Sequence, residues 1–257
     1  MIDVHTHLLP GVDDGSRSVD VSREVLQRFR REGVETVVCT PHLEASRASS
    51  APRARYGAVL AELAAAVPDG PRLLQGFEIM LDLPGADLAA PELRLGASRA
   101  VLVEFPRTAP PAQGTAELFR LRMSGVVPVL AHPERYWGCT VEQVREWRRC
   151  GAVIQMDAVM LFGGSPLSDL ARALLGEGLV DCMASDNHGD TRSLAAARDW
   201  LVETGNEAQA DLLTRENARR LLADEELVPV APLARPRGFI DRLLTFAGRG
   251  RSRTDPR

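Results

Sequence analysis

The sequence predicts an α/β fold in which parallel strands and helices alternate and close into a barrel. Short apolar runs rich in β-branched residues alternate with segments of helical periodicity, as in repeated βα units. Histidines and carboxylates follow nearly every run, which favours one shared barrel rim over an open sheet with a single switch point. The strands are predicted at about 1–4, 34–39, 72–77, 99–104, 126–130, 152–156 and 179–184.

Helices are predicted in the segments between these strands. Residues 19–32 place apolar side chains at helical spacing, and Gly33 ends the segment. Thr140 begins a capping signature, which predicts a further helix after it. The other predicted helices span residues 58–66, 167–175 and 193–204. The polar, Arg-containing segment 44–57 is predicted as a mobile loop over the site, and an ordinary solvated surface loop fits it equally well.

The composition suits one large domain and excludes several kinds of chemistry. The 257 residues are 45% hydrophobic, and the net charge of −4 indicates no nucleic-acid partner. All 31 basic residues are arginine, so a lysine Schiff base and a P-loop lysine are excluded. No apolar run approaches the roughly 20 residues that span a bilayer. Four cysteines without paired spacing and the lack of a signal peptide predict a cytoplasmic protein.

The chain is predicted to divide into a barrel over residues 1–228 and an Arg-rich tail over residues 229–257. The last 23 residues hold seven arginines and two aspartates. Five apolar residues of the tail would line one side of a short amphipathic helix: Phe239, Ile240, Leu243, Leu244 and Phe246. This helix would pack on the barrel, or dock on a partner or membrane surface.

The strongest motif is Asp3-Val4-His5-Thr6-His7, at the end of the first strand. Side chains alternate along a strand, so His5 and His7 point the same way, roughly 6.6 Å apart, and can converge on one metal ion. Asp3 shares their face and is expected to orient a ligand. Asp13 and Asp14 follow in a turn, from which Asp14 is expected to enter the site.

Further ligand candidates follow the other strands, and together they predict a multinuclear metal site. The candidate ligands are His5, His7, Asp14, His42, Glu78, Glu104, His132, Asp186 and His188. Nitrogen and oxygen donors without cysteine suit manganese, iron or zinc better than calcium or magnesium alone. Nine ligands are too many for one ion and about right for three, with a carboxylate as bridge.

Arg135 follows His132 in the motif His-Pro-Glu-Arg and is the candidate phosphate ligand, because its planar guanidinium matches phosphate oxygens. The alternative for Arg135 is a surface ion pair with Glu134. Cys139 and Arg145 have the C-x5-R spacing of cysteine-dependent phosphatases, but the residues between them lack glycine and begin a helix, so this mechanism is not expected.

These motifs, in this order, resemble the PHP superfamily of metal-dependent phosphoesterases. The similarity is greatest to the manganese-dependent protein-tyrosine phosphatases of bacterial capsule and exopolysaccharide loci, and covers about residues 1–220. It rests on the segments Asp3–Gly15, Thr40–His42, Gly76–Ile79, Glu104-Phe105, Ala131–Arg135, Ile154–Ala158 and Ser185–His188. Leu43, Asn187 and Gly189 depart from the usual pattern without removing a ligand.

The resemblance implies a distorted (β/α)7 TIM-like barrel with three divalent metal ions at the C-terminal rim. The implied ligand sets are His5, His7, Glu78 and Asp186; Glu78, Glu104 and His132; and Asp14, His42 and His188. Manganese is the expected metal, with iron, zinc or magnesium as alternatives. Arg135 would bind the substrate phosphate, and Asp14 or His42 would protonate the leaving phenolate.

The first functional hypothesis is therefore a phosphotyrosine-protein phosphatase that uses a metal-activated hydroxide. Its expected substrate is a tyrosine-phosphorylated protein, namely a bacterial tyrosine kinase of polysaccharide synthesis. The second is a small-molecule phosphatase of the same superfamily, such as a histidinol-phosphatase. The third is a metal-stabilised scaffold without activity. The oligomeric state is left open.

Overall fold

A computed structural model describes residues 1–106 and 112–233 of the chain. The strands and α-helices before residue 100 are β1 (Ile2–Thr6), α1 (Val19–Arg31), β2 (Thr36–Cys39), β3 (His42–Glu44), α2 (Arg53–Ala66), β4 (Arg72–Gln75) and β5 (Glu78–Met80). They are followed by β6 (Ala100–Glu104), α3 (Gly114–Met123), β7 (Val127–Ala131), α4 (Val141–Arg149), β8 (Val153–Asp157), α5 (Pro166–Gly176), β9 (Cys182–Ala184), α6 (Leu194–Glu203), α7 (Glu207–Asp211) and α8 (Asn217–Leu222).

Within the described residues, all paired strands are parallel and form two sheets. One sheet has the order β1-β2-β4, and the other has the order β3-β5-β6-β7-β8-β9. β9 also approaches β1, because the amide of Asp186 donates to the His5 carbonyl at 3.0 Å and Thr6 forms a parallel bridge with Asn187. The α/β fold with parallel sheets is therefore confirmed, and closure of the strands into one barrel stays a prediction.

Each of the seven predicted strands is present, and two of them are interrupted. Two residues outside any strand, Thr40-Pro41, separate β2 from β3. In the same way, Gly76-Phe77 separates β4 from β5. Proline has no amide hydrogen to pair, which explains the first interruption. The segments after the breaks, β3 and β5, pair with each other, with His42 opposite Glu78. Both resumed strands therefore begin with a candidate ligand.

α1 and α4 agree with the sequence patterns, and the capping signature predicted at Thr140 is present. Ser18 caps α1 by accepting from the Val21 amide at 3.3 Å, and Thr140 caps α4 by accepting from the Gln143 amide at 3.3 Å. The prediction of a mobile loop over residues 44–57 is wrong. Residues 45–50 form a 3-10 helix, and α2 begins at Arg53. α3, α7 and α8 had no counterpart in the sequence patterns.

Aromatic packing beneath the carboxyl ends of β6 and β7 fixes the loops that carry the site. The rings of Phe105, Tyr136 and Trp147 lie 5.5–6.2 Å apart, and all three are buried. The Tyr136 hydroxyl donates to the Ala131 carbonyl at 2.7 Å and accepts from the Phe105 amide at 3.1 Å. This hydroxyl ties the end of β7 to the end of β6.

The predicted tail only partly falls within the described residues. Val230 is buried at 5% exposure, and the Val228 amide donates to the Asn217 side chain at 2.9 Å, so the first described residues of the tail pack against the body. The predicted amphipathic helix lies outside the described residues. Within residues 1–106 and 112–233, no helix is long and apolar enough to cross a membrane.

Candidate metal centre

Four ligand atoms from three parts of the chain surround one point at the end of β1. The Nε2 atoms of His5 and His7 lie 3.2 Å apart, and each lies 3.2–3.4 Å from Glu78 Oε2 and from Asp186 Oδ1. Four ligands about 2.0–2.1 Å from one ion in a tetrahedron are separated by about 3.3–3.4 Å. All four side chains are buried, so their donor set fits a metal ion well.

Two neighbours determine which nitrogen of each histidine faces that point. His5 Nδ1 lies 3.0 Å from Gln155 Oε1, and His7 Nδ1 lies 2.7 Å from Asp13 Oδ2. Both partners accept a hydrogen bond, which leaves Nε2 of each ring with a free lone pair. Asp3 acts on the backbone beside two candidate ligands, because its carboxylate accepts from the amides of Ser185 at 3.1 Å and of His5 at 3.4 Å. The expectation that Asp3 orients a ligand stays a prediction.

Glu78 lies between the first group of ligands and two further histidines. Its Oε1 lies 2.7 Å from His132 Nε2, and its Oε2 lies 3.0 Å from His42 Nδ1. Burial raises the pKa of Glu78, but His5, His132 and His42 more than reverse this and hold the pKa well below its ordinary value. A buried carboxylate that keeps its charge and faces imidazoles with both oxygens suits a bridge between metal ions.

The more exposed side of the centre is formed by Asp14, His42 and His188. Asp14 Oδ1 lies 3.3 Å from His42 Nε2 and 3.6 Å from His188 Nε2. The His188 ring stacks on His7 with centroids 4.1 Å apart, which connects this side to the buried ligands. The Asp14 side chain is 71% exposed and reaches the centre from the turn after β1.

All nine predicted ligand residues are brought together. Among the described residues, four groups have ligand atoms within 4.8 Å of one another: His5, His7 and Asp186; His5, Glu78 and His132; His42, Glu78 and Glu104; and His7, Asp14, His42 and His188. Glu104 lies 4.0 Å from His42 and 3.9 Å from His132, between two of the implied ligand sets. Their function as metal ligands stays a prediction.

Two guanidinium groups border the centre on the side of β7 and β9. Arg135 pairs with Asp157 and, at 2.7 Å, with Asp186 Oδ2, while Arg192 reaches the same oxygen at 3.1 Å. The alternative ion pair with Glu134 is not formed, because Glu134 is buried and accepts from the Asp157 amide. Arg135 Nε is buried and has no hydrogen-bond partner within the described chain.

Two candidate ligands have a backbone conformation that non-glycine residues rarely adopt. His132 has φ +33°, and Asp186 has φ +47°. Backbone strain of this kind costs about 1–3 kcal/mol and persists where the surroundings enforce it. At Asp186 the surroundings are the Ser185 amide held by Asp3 and the Asp186 amide bonded to β1.

Cysteine chemistry has no support in the structure. Burial raises the pKa of the Cys139 thiol to about 12, and its sulfur lies just before α4 rather than in a phosphate-binding loop. A thiol with that pKa is almost wholly protonated near neutral pH and is a poor nucleophile. The rejection of the C-x5-R spacing as a catalytic motif is therefore supported.

Comparison with known proteins agrees with this geometry. A family model described as capsular polysaccharide synthesis, CpsB/CapC, matches residues 1–223. The tyrosine-protein phosphatase YwqE of Bacillus subtilis (strain 168) is 29% identical over 256 residues, covering 93% of this chain and 99% of its own. The tyrosine-protein phosphatase CpsB of Streptococcus pneumoniae is 30% identical over 241 residues, covering 88% and 99%.

Solved structures show the same relationship. A chain from the crystal structures of YwqE and CpsB, described as unique metal-dependent tyrosine phosphatases, matches with a TM-score of 0.78 at 26% identity, covering 91% of this chain and 100% of that chain. An organophosphorus hydrolase from Deinococcus radiodurans shares the fold alone, with a TM-score of 0.54 at 17% identity over 86% of this chain and 92% of its own. The chain belongs to the CpsB/CapC family of capsular polysaccharide synthesis proteins.

Proposed function

We propose that this chain is a metal-dependent phosphotyrosine-protein phosphatase built on a (β/α)7 barrel. The observation that carries the proposal is that the Nε2 atoms of His5 and His7 lie 3.2 Å apart and 3.2–3.4 Å from one oxygen each of Glu78 and Asp186, with two guanidinium groups beside Asp186. Metal ions next to fixed cations form a site for a phosphoryl group, whose charge both can neutralise. The names of the relatives support the same activity.

Three divalent ions, with manganese as the first choice and iron, zinc or magnesium as alternatives, fit the donor set. His5, His7, Glu78 and Asp186 would hold the first, and Glu78 would bridge to a second held with Glu104 and His132. Asp14, His42 and His188 would hold the third. When bound, such ions lower the pKa of water and neutralise phosphoryl charge.

Arg135 and Arg192 would bind the non-bridging phosphate oxygens. Both already point at Asp186 Oδ2, so small rotations about their side-chain bonds would turn their N–H groups to a phosphate above the centre. His42 Nε2 and Asp14 Oδ1 lie 3.3 Å apart, and we assign protonation of the leaving phenolate to whichever of the two does not hold the third ion.

The proposed substrate is a tyrosine-phosphorylated protein, and specifically a bacterial tyrosine kinase of capsule or exopolysaccharide synthesis. We place the reaction in the cytoplasm, with residues 1–228 as the catalytic unit and residues 229–257 as its tail. The exposed Arg47 would attract acidic groups near the phosphotyrosine.

An activity assay with matched substrates tests this proposal. Metal-loaded protein is given a phosphotyrosine peptide or histidinol phosphate, each with and without chelator. We expect preference for the peptide, loss of activity with chelator, and unchanged activity in Cys139→Ser. Preference for histidinol phosphate would overturn the protein-phosphatase assignment. Absence of hydrolysis by metal-loaded protein, together with His5→Ala changing stability alone, would support the scaffold hypothesis instead.

A further inference from the structure

The loop between β9 and α6, residues 185–193, brings three groups to the candidate metal centre. Asp186 and His188 are candidate metal ligands, and the Arg192 guanidinium lies 3.1 Å from Asp186 Oδ2. The loop contains no helix or strand of its own. Groups that bind a substrate must be held within a fraction of an ångström, so contacts from other residues have to fix this loop.

The side chain of Asn187 fixes the path of the loop from within. Asn187 is fully buried, and its Oδ1 accepts from the amides of Gly189 at 2.8 Å and Asp190 at 3.3 Å. Its Nδ2 donates to the carbonyls of Asp190 at 3.1 Å and Arg192 at 2.7 Å. One carboxamide therefore bonds to four backbone groups. Asn187 is also one of the residues at which the sequence departs from the usual pattern of the PHP superfamily.

Arg28 of α1 donates to the same two carbonyls. Its Nη2 lies 2.9 Å from the Asp190 carbonyl oxygen and 3.0 Å from that of Arg192. A carbonyl oxygen has two lone pairs, so each can accept from Arg28 and from Asn187 together. Hydrogen bonds from a charged donor are stronger than those from a neutral one. The backbone on either side of residue 191 is thus tied both to the buried amide and to α1.

Two further contacts extend this attachment to the Arg192 side chain. Asp190 Oδ2 accepts from Arg192 Nε at 2.8 Å, which directs the guanidinium from the neighbouring turn of the loop. Glu32, one turn after Arg28, accepts from the Ser193 hydroxyl at 2.6 Å and holds the end of the loop on α1. Arg28 therefore holds the backbone of Arg192 and of Asp190, which orients the Arg192 side chain.

We propose that Arg28 and Asn187 are positioning residues, which hold Arg192 where it binds a phosphate oxygen. The inference rests on the proposed function, in which Arg192 binds the phosphoryl group. Neither residue would touch the substrate, because Asn187 is fully buried and Arg28 Nη2 is bonded to the two carbonyls. A displacement of about 1 Å caused from a distance can cost about 10²-fold in rate, so loss of either residue should be visible in the kinetics.

The test is a double-mutant cycle between Arg28 and Arg192 in manganese-loaded protein. Arg28→Met keeps an unbranched side chain and removes the donors. We expect it to lower kcat/KM for a phosphotyrosine peptide roughly tenfold. In protein that already carries Arg192→Met, the same change should alter kcat/KM by less than about twofold, because residues that act as one unit are not additive. Binding of inorganic phosphate, measured by calorimetry, should show the same non-additivity without turnover.

Matched variants control for a general loss of stability. Asn187→Ala should lower kcat/KM at least as much as Arg28→Met. Its control is Asn206→Ala in the turn between α6 and α7, since Asn206 is also buried and its Nδ2 donates to the Thr204 carbonyl at 3.2 Å. Arg30→Met, which replaces an exposed arginine of α1, is the control for Arg28→Met. Both controls should keep kcat/KM even where the melting temperature falls.

The outcomes separate this inference from the proposed function. Additive losses in the cycle, or loss of manganese from Arg28→Met, would overturn the positioning role while leaving the phosphatase assignment intact. Phosphate binding that is absent from the unaltered protein, or unchanged in Arg28→Met, would also overturn that role. Non-additive losses of phosphate affinity, without any hydrolysis of the peptide by the unaltered protein, would support the positioning role and contradict the phosphatase assignment.

Discussion

At the scale of single residues, the hydrogen-bond acceptors of His5 and His7 are as important for metal binding as the candidate ligands themselves. Gln155 and Asp13 each face an Nδ1 atom, so the protons of His5 and His7 stay on the side away from the centre. Such partners fix the ring orientation and raise the basicity of the ligand nitrogen. Gln155 Nε2 has no partner within the described residues, so the side chain serves His5 through its oxygen alone.

We therefore expect Gln155→Leu to weaken metal binding by about 10–100-fold, since it removes the acceptor of His5 while nearly keeping the volume. Gln155→Glu should retain binding, because a carboxylate also accepts from Nδ1. Competition with a chromophoric chelator measures both affinities. Gln27→Leu, which changes an exposed residue of α1, is the control. Equal affinities of Gln155→Leu and the unaltered protein would contradict this role.

Arg135 gives a second expectation at this scale. Arg135→Lys should lower kcat/KM for a phosphotyrosine peptide by about 10²–10³-fold, because an ammonium cannot replace the planar pair of donors. A positive charge near Asp157 and Asp186 is retained, so the melting temperature should change much less than in Arg135→Ala. Steady-state kinetics and thermal unfolding of both variants check this. A fully active Arg135→Lys variant would exclude guanidinium-specific phosphate binding.

Sequence reasoning found the candidate ligands but missed several of their neighbours. Histidines and carboxylates after apolar runs are visible one by one, whereas the pairing of Asp13 with His7 depends on how the turn folds back. Arg192 was missed because it follows His188 by four residues in a loop without periodicity. Its signal was only a second arginine close to a ligand motif. The role of Gln155 needs β8 to lie near β1, which no local pattern specifies.

At the scale of elements, the turn after β1 depends on glycine at position 15. A Cβ there would lie 2.2 Å from the His7 carbonyl oxygen and 2.4 Å from the His7 Cβ, closer than atoms can pack. The Gly15 amide also donates to Asp13 Oδ1 at 3.0 Å. The close approach of this turn to His7 is what places Asp13 and Asp14 at the centre.

We expect Gly15→Ala to push this turn away from β1 and to weaken metal binding at least tenfold, because His7 would lose its orienting acceptor. It should also lower stability by about 1–3 kcal/mol through overpacking. Metal content after dialysis and urea unfolding measure the two effects. Gly164→Ala is the control, because nothing lies within 4 Å of a Cβ at that position. Identical behaviour of the two variants would show that the turn can shift without consequence.

The short strands β3 and β5 show the limit of pattern reading for elements. Each has three residues, too few for a period of two to be recognised. The segment 44–57 was misread because its serines, alanines and arginines have no apolar stripe, yet tertiary contacts order it. One example is Arg53, whose guanidinium donates to the Glu92 carbonyl at 2.6 Å.

At the scale of the whole molecule, the centre gathers all five histidines and four carboxylates at the carboxyl ends of the strands. The strand alternation and the rim position could be predicted because parallel strands bring their carboxyl ends to one side. The division into two sheets could not, because it follows from the interruptions at Pro41 and Gly76 and not from any change in periodicity.

Metal binding should strengthen as the pH rises. Burial lowers the pKa of His7, but Asp13, Asp186 and Glu78 outweigh this and raise it well above its ordinary value. The raised pKa favours the protonated ring in the metal-free protein, and a metal ion must displace that proton. At pH values below that pKa, the displacement of one proton makes the apparent metal affinity fall by about tenfold for each pH unit. Titration of Mn²⁺ into metal-free protein at two pH values, in buffers of different ionisation enthalpy, measures affinity and proton release. Affinity independent of pH, without proton release, would contradict this.

The left-handed backbone at His132 and Asp186 has a consequence for how the protein responds to selection. Both residues are held in an unfavourable backbone conformation at the positions from which their side chains reach the candidate metal centre. Selection for heat resistance alone would therefore favour replacing them, for instance Asp186→Gly, before it altered the core. Thermostable variants of this chain that keep activity should carry their substitutions away from these two positions.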